Sequence, residues 1–228
     1  MEHILLLHGA IASKDQISLL EKKLADSFTV YSLNFSGHGG SPVADEGFSI
    51  NLFASEVIAY IEEKGIDSIN IFGYSLGGYV AMYLAKHHPE RIKKIITLAT
   101  KFIWDETIAA NETKMLNPAK IEEKIPDFAA ALQKRHAPND WKMVLAKTAD
   151  MLTAMGKDNP LKAADYRAIP QPILLMLGDR DKMVTLDETV NVYKLLPQAQ
   201  MAVLPNTPHP IEMVNTDRLA FEIKSFLG

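Results

Sequence analysis

Short apolar runs alternate along the chain with longer segments in which apolar residues recur every three or four positions. The runs are typical of buried strands, and the longer segments are typical of amphipathic helices. The predicted strands are 4–7, 29–35, 69–72, 94–99, 173–177 and 202–204. The predicted helices are 15–26, 49–64, 78–88, 186–196 and 217–227, with Thr216 as N-cap of the last. This alternation predicts an α/β fold with a mostly parallel sheet covered by helices on both faces.

The segment 101–168 interrupts the alternation, because it has no convincing strand pattern. It contains four X-Pro pairs, at positions 117–118, 125–126, 137–138 and 159–160. A proline can open a helix at its first turn and disfavours helix at the preceding residue, so we expect three or four short helices here. Their place between two strands predicts an insertion at 101–168 into a core formed by 1–100 and 169–228.

The composition excludes several classes of protein and site. The chain has 228 residues, of which 47% are hydrophobic, which is enough for a large buried core. A net charge of −4 gives no electrostatic reason to expect nucleic acid or an anionic membrane as a partner. Cysteine is absent, which excludes disulfides and thiolate metal sites. No cluster of His, Asp and Glu has the spacing of a metal site, so we expect no metal.

The apolar run at 4–7 is too short for a signal peptide and follows an acidic residue, Glu2. No stretch approaches the roughly 18 apolar residues that a membrane span needs. These observations predict a cytoplasmic protein, and they leave the oligomeric state open between monomer and homodimer.

A Gly-Tyr-Ser-Leu-Gly sequence at 73–77 connects a predicted strand to a predicted helix, with Gly78 next. The pattern G-x-S-x-G in this context places a serine, here Ser75, on a sharp turn that lifts its hydroxyl off the sheet. Free N–H groups at the start of the helix can hold an oxyanion. A motif of five residues with three fixed positions recurs by chance, so by itself it is weak evidence for a catalytic serine. The interpretation therefore depends on whether the rest of the chain supplies a base and an acid.

Candidates for both partners follow later strands, where the carboxyl ends of a parallel sheet line the ligand crevice. Strand 173–177 is followed by Asp179 and Asp181, and strand 202–204 is followed by His209. The order Ser75, Asp181, His209 is the Ser…Asp…His order expected for this architecture. A serine hydroxyl needs a base, and the base needs an acid to fix its tautomer.

With these pieces the chain resembles the α/β-hydrolase superfamily over essentially its whole length. The stretches 6–10 (LLHGA) and 37–41 (GHGGS) match the family pattern as well. The resemblance implies that the insertion at 101–168 is a helical cap over the active site. Family members usually carry two further strands before the strand that is followed by His-Gly, which in this sequence is the first predicted strand, 4–7. We therefore expect six parallel strands here, with no antiparallel strand near the N-terminus.

The resemblance also implies a role for each candidate. Ser75 is the nucleophile, His209 the base and Asp181 the acid, and the backbone N–H groups of Leu76 and Ala10 form the oxyanion hole. The alternatives that remain open are Asp179 or Asp105 as the acid and Ile11 as the second N–H donor. Of the other histidines, His8 and His38 have structural places in the family pattern, and His3, His87, His88 and His136 lie at the N-terminus or on predicted helices.

Five residues are candidates for contact with the substrate: Ile11, Phe102, Trp104, Trp141 and Met183. The three aromatic residues among them belong to the insertion, where they either line an acyl pocket or pack the cap onto the sheet.

The sequence thus predicts a serine hydrolase that cleaves a carboxylic ester of a small, uncharged or weakly charged molecule, without a cofactor. Carbon–carbon bond hydrolases and a menaquinone-pathway lyase share the same triad and stay as alternatives. Tyr79 stands after Gly78, where that lyase usually carries arginine, and Lys101 or Lys182 binding a carboxylate would favour a carbon–carbon hydrolase. Thioesterase and acyltransferase activities use the same acyl-enzyme, and a non-catalytic binding protein is the alternative of another class.

Overall fold

A computed structural model describes all 228 residues. Its strands are β1 (Glu2–Leu7), β2 (Phe28–Ser32), β3 (Ile69–Tyr74), β4 (Ile92–Leu98), β5 (Ile173–Gly178) and β6 (Ala199–Leu204). They form one sheet in the order β2-β1-β3-β4-β5-β6, and every neighbouring pair is parallel. The predicted fold class, with six parallel strands, is confirmed.

Ten α-helices connect or follow these strands. They are α1 (Ser18–Leu24), α2 (Ile50–Glu63), α3 (Leu76–His87), α4 (Glu106–Thr113), α5 (Pro118–Lys124), α6 (Pro126–His136), α7 (Trp141–Lys157), α8 (Ala163–Ala168), α9 (Leu186–Tyr193) and α10 (Thr216–Leu227). None of them is both long enough and apolar enough to cross a bilayer.

The sheet buries both of its faces, because successive strand residues point to opposite sides. On β1, Leu5 and Leu7 pack into the cluster that contains side chains of α2, α3 and α9. Ile4 and Leu6 pack into a second cluster with side chains of α1 and α10. All four side chains are fully buried, which explains why the strands are nearly continuous apolar runs.

Several predicted boundaries were wrong for identifiable reasons. The strand predicted at 29–35 ends at Ser32, because the chain then leaves the sheet and the Phe35 N–H donates to a ring nitrogen of His8. Thr216 is the first residue of α10 and not its N-cap, since the Asn215 carboxamide oxygen accepts from the Arg218 N–H. The helix predicted at 15–26 is a 3₁₀ turn, Lys14–Ile17, followed by α1.

Other boundaries shifted by two or three residues. The helix predicted at 78–88 begins earlier, at Leu76, and the one predicted to end at 196 ends at Tyr193. The strand predicted at 202–204 begins at Ala199 and lies at the edge of the sheet.

The segment between β4 and β5 contains five helices, α4 to α8, where three or four short ones were predicted. Pro118 and Pro126 open α5 and α6, as proline does at a first helical turn. The prediction of short helices was wrong for α7, which is 17 residues long and begins after an Asp140 N-cap. Its buried residues Val144 and Met151 belong to the same core cluster as the sheet.

Candidate active site

Ser75 lies on the turn between β3 and α3 with φ 51° and ψ −116°, a conformation that costs a non-glycine residue free energy. The surrounding backbone holds it there. Its N–H donates to Leu98 O at 2.8 Å, and its carbonyl accepts from the Gly78 N–H at 3.0 Å and from Thr100 Oγ1 at 3.0 Å. A strained serine fixed by this many contacts is pre-positioned for a reaction.

The glycines around Ser75 are required by close approaches of the backbone. A Cβ on Gly73 would lie 2.4 Å from the carbonyl carbon of Gly77. A Cβ on Gly77 would lie 2.5 Å from Leu7 O, which joins the turn to the end of β1. These distances are shorter than any normal van der Waals contact, so the G-x-S-x-G pattern follows from packing at this site.

His209 and Asp181 meet at the carboxyl ends of β5 and β6. The imidazole Nδ1–H of His209 donates to Asp181 Oδ2 at 2.8 Å. The other carboxylate oxygen, Oδ1, accepts from the backbone N–H groups of Met183 at 2.8 Å and Val184 at 2.9 Å. Burial by itself would raise the pKa of Asp181, but these hydrogen bonds outweigh it and lower the pKa below the usual value.

The two other candidate acids have structural contacts elsewhere. Asp179 Oδ1 accepts from the Thr207 N–H at 3.1 Å and so braces the loop that carries His209. Asp105 is the N-cap of α4, where its carboxylate accepts from the Ile108 N–H at 2.7 Å. The structure therefore brings Asp181, and neither alternative, to the imidazole.

Ser75 and His209 line the same cavity, although no hydrogen bond joins their side chains in the structure. Such contacts are often long without substrate and tighten when it binds. Tyr74, which the sequence reasoning missed, lies beside both: its hydroxyl donates to His209 O at 3.0 Å, and its ring is 5.6 Å from the imidazole. Burial raises the pKa of the Tyr74 hydroxyl, which keeps it protonated as a donor.

The two predicted oxyanion donors lie at the edge of this cavity. Leu76 is the first residue of α3, where a backbone N–H has no intrahelical partner. Ala10 lies in the turn after β1, and its N–H donates to no acceptor in the protein. Both residues line the cavity, together with Ile11.

The cavity has a volume of about 300 Å³ and is mostly apolar, with hydrophobic residues at 14 of its 24 lining positions. Ile11, Trp104 and Met183, three of the candidates for contact with the substrate, line it. The inserted helices contribute a large part of the wall, with these residues: Glu112, Met115, Leu116, Phe128, Arg135, Thr148, Leu152 and Met155. Residues between β4 and β5 therefore form part of the wall of the cavity that Ser75 also lines.

Phe102 and Trp141 do not line the cavity, which corrects their assignment as substrate contacts. Phe102 is fully buried in the main core and packs edge-on against Tyr166 at 5.9 Å. Trp141 opens α7 and packs inside the insertion with a small cluster that includes Leu132 and Leu145. Both aromatic rings stabilise the insertion and its contact with the sheet.

The charged groups at the cavity are paired. Lys101 Nζ donates to Met183 O at 2.7 Å and lies 3.5 Å from Glu112 and 3.7 Å from Glu188. Arg135, the second cation, lies 3.7 Å from Glu212. Lys182, which was considered as a carboxylate ligand, is exposed and does not line the cavity. Sequence reasoning missed Arg135 and Glu212, because no motif marks residues that converge from two distant segments.

Two buried histidines beside the site, His8 and His38, are neutral and make hydrogen bonds to backbone groups of the neighbouring loops. The Phe35 N–H donates to His8 Nε2 at 3.2 Å, so the proton is on Nδ1, which donates to Gly9 O at 2.8 Å. His38 Nδ1 donates to Ser36 O at 2.9 Å. Burial lowers the pKa of His8 to about 4 and that of His38 well below its ordinary value. Both were expected to have structural roles, and these contacts fit that expectation.

Comparison with known proteins gives concordant findings. Residues 2–146 match the family described as alpha/beta hydrolase fold. The chain is 36% identical to a pimeloyl-[acyl-carrier protein] methyl ester esterase of Aeromonas hydrophila, in an alignment that covers 99% of this chain and 95% of the relative. It is 24% identical to a 2-(acetamidomethylene)succinate hydrolase of Mesorhizobium japonicum, covering 98% and 87%. A solved thermophilic esterase of Thermogutta terrifontis shares the fold with a TM-score of 0.81 at 21% identity, covering 100% of this chain and 89% of that one.

Proposed function

The chain belongs to the alpha/beta hydrolase family, and we propose that it hydrolyses a carboxylic ester with a small, uncharged acyl group through an acyl-enzyme on Ser75. The observation that carries the proposal is one shared cavity. Ser75 and His209 line its base, Asp181 holds the imidazole at 2.8 Å, and the remaining wall is largely apolar. No cofactor is required for this chemistry.

Each residue has a defined step in the proposed reaction. His209 takes the proton from Ser75 Oγ as the oxygen attacks the ester carbonyl, and Asp181 stays ionised and stabilises the imidazolium. The N–H groups of Leu76 and Ala10 hold the oxyanion, at about 3 kcal/mol for each such donor. His209 then protonates the leaving alcohol and activates the water that releases the acyl group. The insertion acts as a cap that excludes other water from the cavity.

The charge balance of the cavity supports an uncharged substrate. Lys101 lies between Glu112 and Glu188, and Arg135 faces Glu212, so neither cation is available without breaking an existing contact. Glu112 and Glu188 are largely buried, and leaving a buried carboxylate unpaired is costly, so Lys101 makes a poor ligand for a substrate carboxylate. Arg135 donates to Ile11 O at 2.9 Å in addition to its contact with the half-exposed Glu212. This pairing favours a carboxyl group masked as an ester, as in the methyl ester named for the Aeromonas relative, over the succinate derivative named for the Mesorhizobium one. The comparison concerns the charge of the group to be bound and not the size of the Aeromonas relative's substrate, which is attached to a carrier protein.

The carbon–carbon hydrolase and lyase alternatives rank lower for the same reason. Both classes usually bind acidic substrates with basic groups near the nucleophile. The residue after Gly78 is Tyr79, whose hydroxyl is engaged with Asn159 and accepts from the Leu161 N–H at 3.0 Å. A thioester in place of the ester would use the same groups and the same acyl-enzyme.

The test is hydrolysis of p-nitrophenyl esters from acetate to decanoate by the wild type, by Ser75→Ala and by Ser55→Ala. Ser55 is an exposed residue of α2 and serves as the matched control. We expect turnover by the wild type and by Ser55→Ala, and none above background by Ser75→Ala. A wild type that turns over none of these esters would contradict the proposal and favour carbon–carbon cleavage, lyase chemistry or binding without catalysis.

A further inference from the structure

The turn after β1 has a conformation that its own sequence disfavours. The Ala12 N–H donates to Gly9 O at 3.3 Å and closes a turn in which Ile11 has φ 50°. A β-branched residue rarely adopts a positive φ, because its branched Cβ crowds the backbone. Such strain persists only where the surroundings hold it. Ala10, the candidate oxyanion donor, is in the middle of this turn.

The surroundings that hold Ile11 belong to the insertion. The carbonyl of Ile11 accepts two hydrogen bonds from the last two residues of α6, Arg135 Nη1 at 2.9 Å and His136 Nε2 at 3.1 Å. The Gly39 N–H donates to His136 Nδ1 at 3.2 Å, so the proton of the neutral ring is on Nε2 and can be donated to Ile11. His136 is completely buried, and burial lowers its pKa to about 4, which keeps the ring in this tautomer at neutral pH.

These contacts fix the orientation of the peptide planes in the turn. In a trans peptide the C=O and N–H point in opposite directions. Donors on Ile11 O therefore aim the Ala12 N–H back at Gly9 O, while His8 Nδ1 donates to the same Gly9 O at 2.8 Å. With Gly9 O fixed from two sides, the Ala10 N–H of that peptide points the other way.

Arg135 also connects the turn to the loop that carries the base. Its guanidinium lies 3.7 Å from the Glu212 carboxylate, which in turn accepts from the Gln16 side chain. Glu212 is three residues beyond His209 in the sequence. The Arg135 side chain thus contacts both the turn 9–12 and the segment after His209.

We propose that Arg135 and His136 are positioning residues that hold the turn 9–12 in the conformation that presents the Ala10 N–H to the oxyanion. This rests on the ester hydrolase function proposed above and extends it. The end of α6 then contributes to the chemical step as well as to the wall of the cavity. Loss of its contacts lowers kcat, because Ala10 no longer stabilises the transition state, and leaves ground-state binding nearly unchanged.

The experiment compares His136→Phe with the wild type on the ester that the wild type prefers. We expect kcat to fall by roughly 10- to 100-fold, which is part of the 10²- to 10³-fold that loss of an oxyanion donor costs. KM should stay within about twofold, since ground-state contacts are kept. A trifluoromethyl ketone of the same chain length forms an oxyanion on Ser75, so its Ki should weaken in parallel with kcat/KM.

Two further variants separate positioning from general damage to the fold. His136→Gln retains an N–H that can reach Ile11 O, and Arg135→Lys retains one donor, so each should keep more activity than His136→Phe or Arg135→Met. Asn139→Ala is the matched control. The Asn139 amide joins the insertion to the loop after β2, which His136 also contacts through Gly39, by donating to Gly37 O at 3.1 Å and Ser41 O at 2.6 Å. It does not contact the turn 9–12. We expect kcat of Asn139→Ala to match the wild type.

The outcomes distinguish the two proposals. Esterase turnover by the wild type, with unchanged kcat in His136→Phe and Arg135→Met, overturns the positioning role while the proposed function stands. An equal loss of kcat in Asn139→Ala also overturns it, because the effect would then come from anchoring the insertion. If the wild type hydrolyses no ester, the function itself fails and the positioning role fails with it.

Discussion

The hydrogen bonds at Asp181 determine which ring nitrogen of His209 carries the proton. Asp181 receives three hydrogen bonds, from the His209 ring and from two backbone N–H groups, and these lower its pKa against the effect of burial. An ionised Asp181 can only accept, so the imidazole must present Nδ1–H to it. That leaves Nε2 of His209 available to accept the Ser75 proton in the proposed reaction.

Asp181→Asn tests this assignment at the scale of one atom. The amide has the shape of the carboxylate but can donate a hydrogen bond to Nδ1, which stabilises the wrong tautomer of His209. We expect kcat on the preferred ester to fall by about 10³- to 10⁴-fold with an unchanged fold, as for the corresponding change in serine proteases.

Asp105→Asn is the control for Asp181→Asn. Asn caps a helix as well as Asp does, so the N-cap of α4 and the activity should both be retained. Equal kcat in the two variants would show that Asp181 is not the acid.

Residues that follow a strand could be predicted from the sequence, whereas residues that meet across the insertion could not. Ser75, Asp181 and His209 come one, three and five residues after the ends of β3, β5 and β6, and a parallel sheet places such positions at one edge. Arg135 and Glu212 are 77 positions apart and meet only because the end of α6 packs against the turn after β1. Phe102 and Trp141 were misplaced because an aromatic residue of the insertion has the same pattern whether it faces the cavity or the core.

At the scale of elements, the turn between β3 and α3 depends on backbone packing. Gly77 approaches the carbonyl oxygens of Leu7 and His8, so β1, β3 and α3 meet with no room for a side chain. This contact places the start of α3, and with it the Leu76 N–H, close to the end of β1. The strand–glycine–helix pattern in the sequence predicted this turn correctly, because the glycines that the close approach to β1 requires are themselves part of the motif.

Gly77→Ala should therefore destabilise the protein. The added Cβ would lie 2.5 Å from Leu7 O and 2.7 Å from His8 O, and neither backbone atom can move freely. We expect a loss of at least about 1–3 kcal/mol in the free energy of unfolding, measured by urea denaturation.

Gly47→Ala is the matched control for Gly77→Ala, because a Cβ there meets no atom within 4 Å. Its free energy of unfolding should stay within about 0.5 kcal/mol of the wild type. Equal stability of the two variants would contradict the close packing of Gly77 against β1.

The inserted helices could be predicted from the sequence only in part. Prolines identified the starts of α5 and α6, because a proline favours the first turn of a helix. The length of α7 was not predicted, although 17 residues without an internal proline allow it. Which of its faces lines the cavity depends on how it crosses α4 and α6, and no local pattern specifies a crossing.

At the scale of the whole molecule, three buried histidines connect the sheet, the loop after β2 and the insertion. The ring centroid of His38 lies 5.3 Å from that of His8 and 5.7 Å from that of His136. All three side chains are completely buried. Their burial lowers the pKa of each, to about 4 for His8 and His136.

This cluster predicts a loss of stability in mild acid. An unfolded histidine binds a proton near pH 6.5, whereas the folded ones stay neutral to about pH 4. The stability is therefore fully present above pH 6.5 and falls as the pH decreases toward 4. Each histidine should lower the free energy of unfolding by about 1.4 kcal/mol per pH unit in this window.

Urea denaturation at pH 7 and at about pH 5 measures this slope. His136→Gln should be less stable at pH 7 and should show a shallower slope, because one titrating group is removed. A free energy of unfolding that is constant between the two pH values would contradict the buried neutral state of these rings.

Intact-protein mass spectrometry after rapid mixing with p-nitrophenyl butyrate would test the acyl-enzyme on Ser75 most directly. Acid quenching traps any covalent intermediate, and peptide mapping locates it. We predict a population heavier by one butyryl group, located on Ser75, and no such species in Ser75→Ala. Release of p-nitrophenol by the wild type with no acyl group on Ser75, or with the group on another residue, would contradict the account.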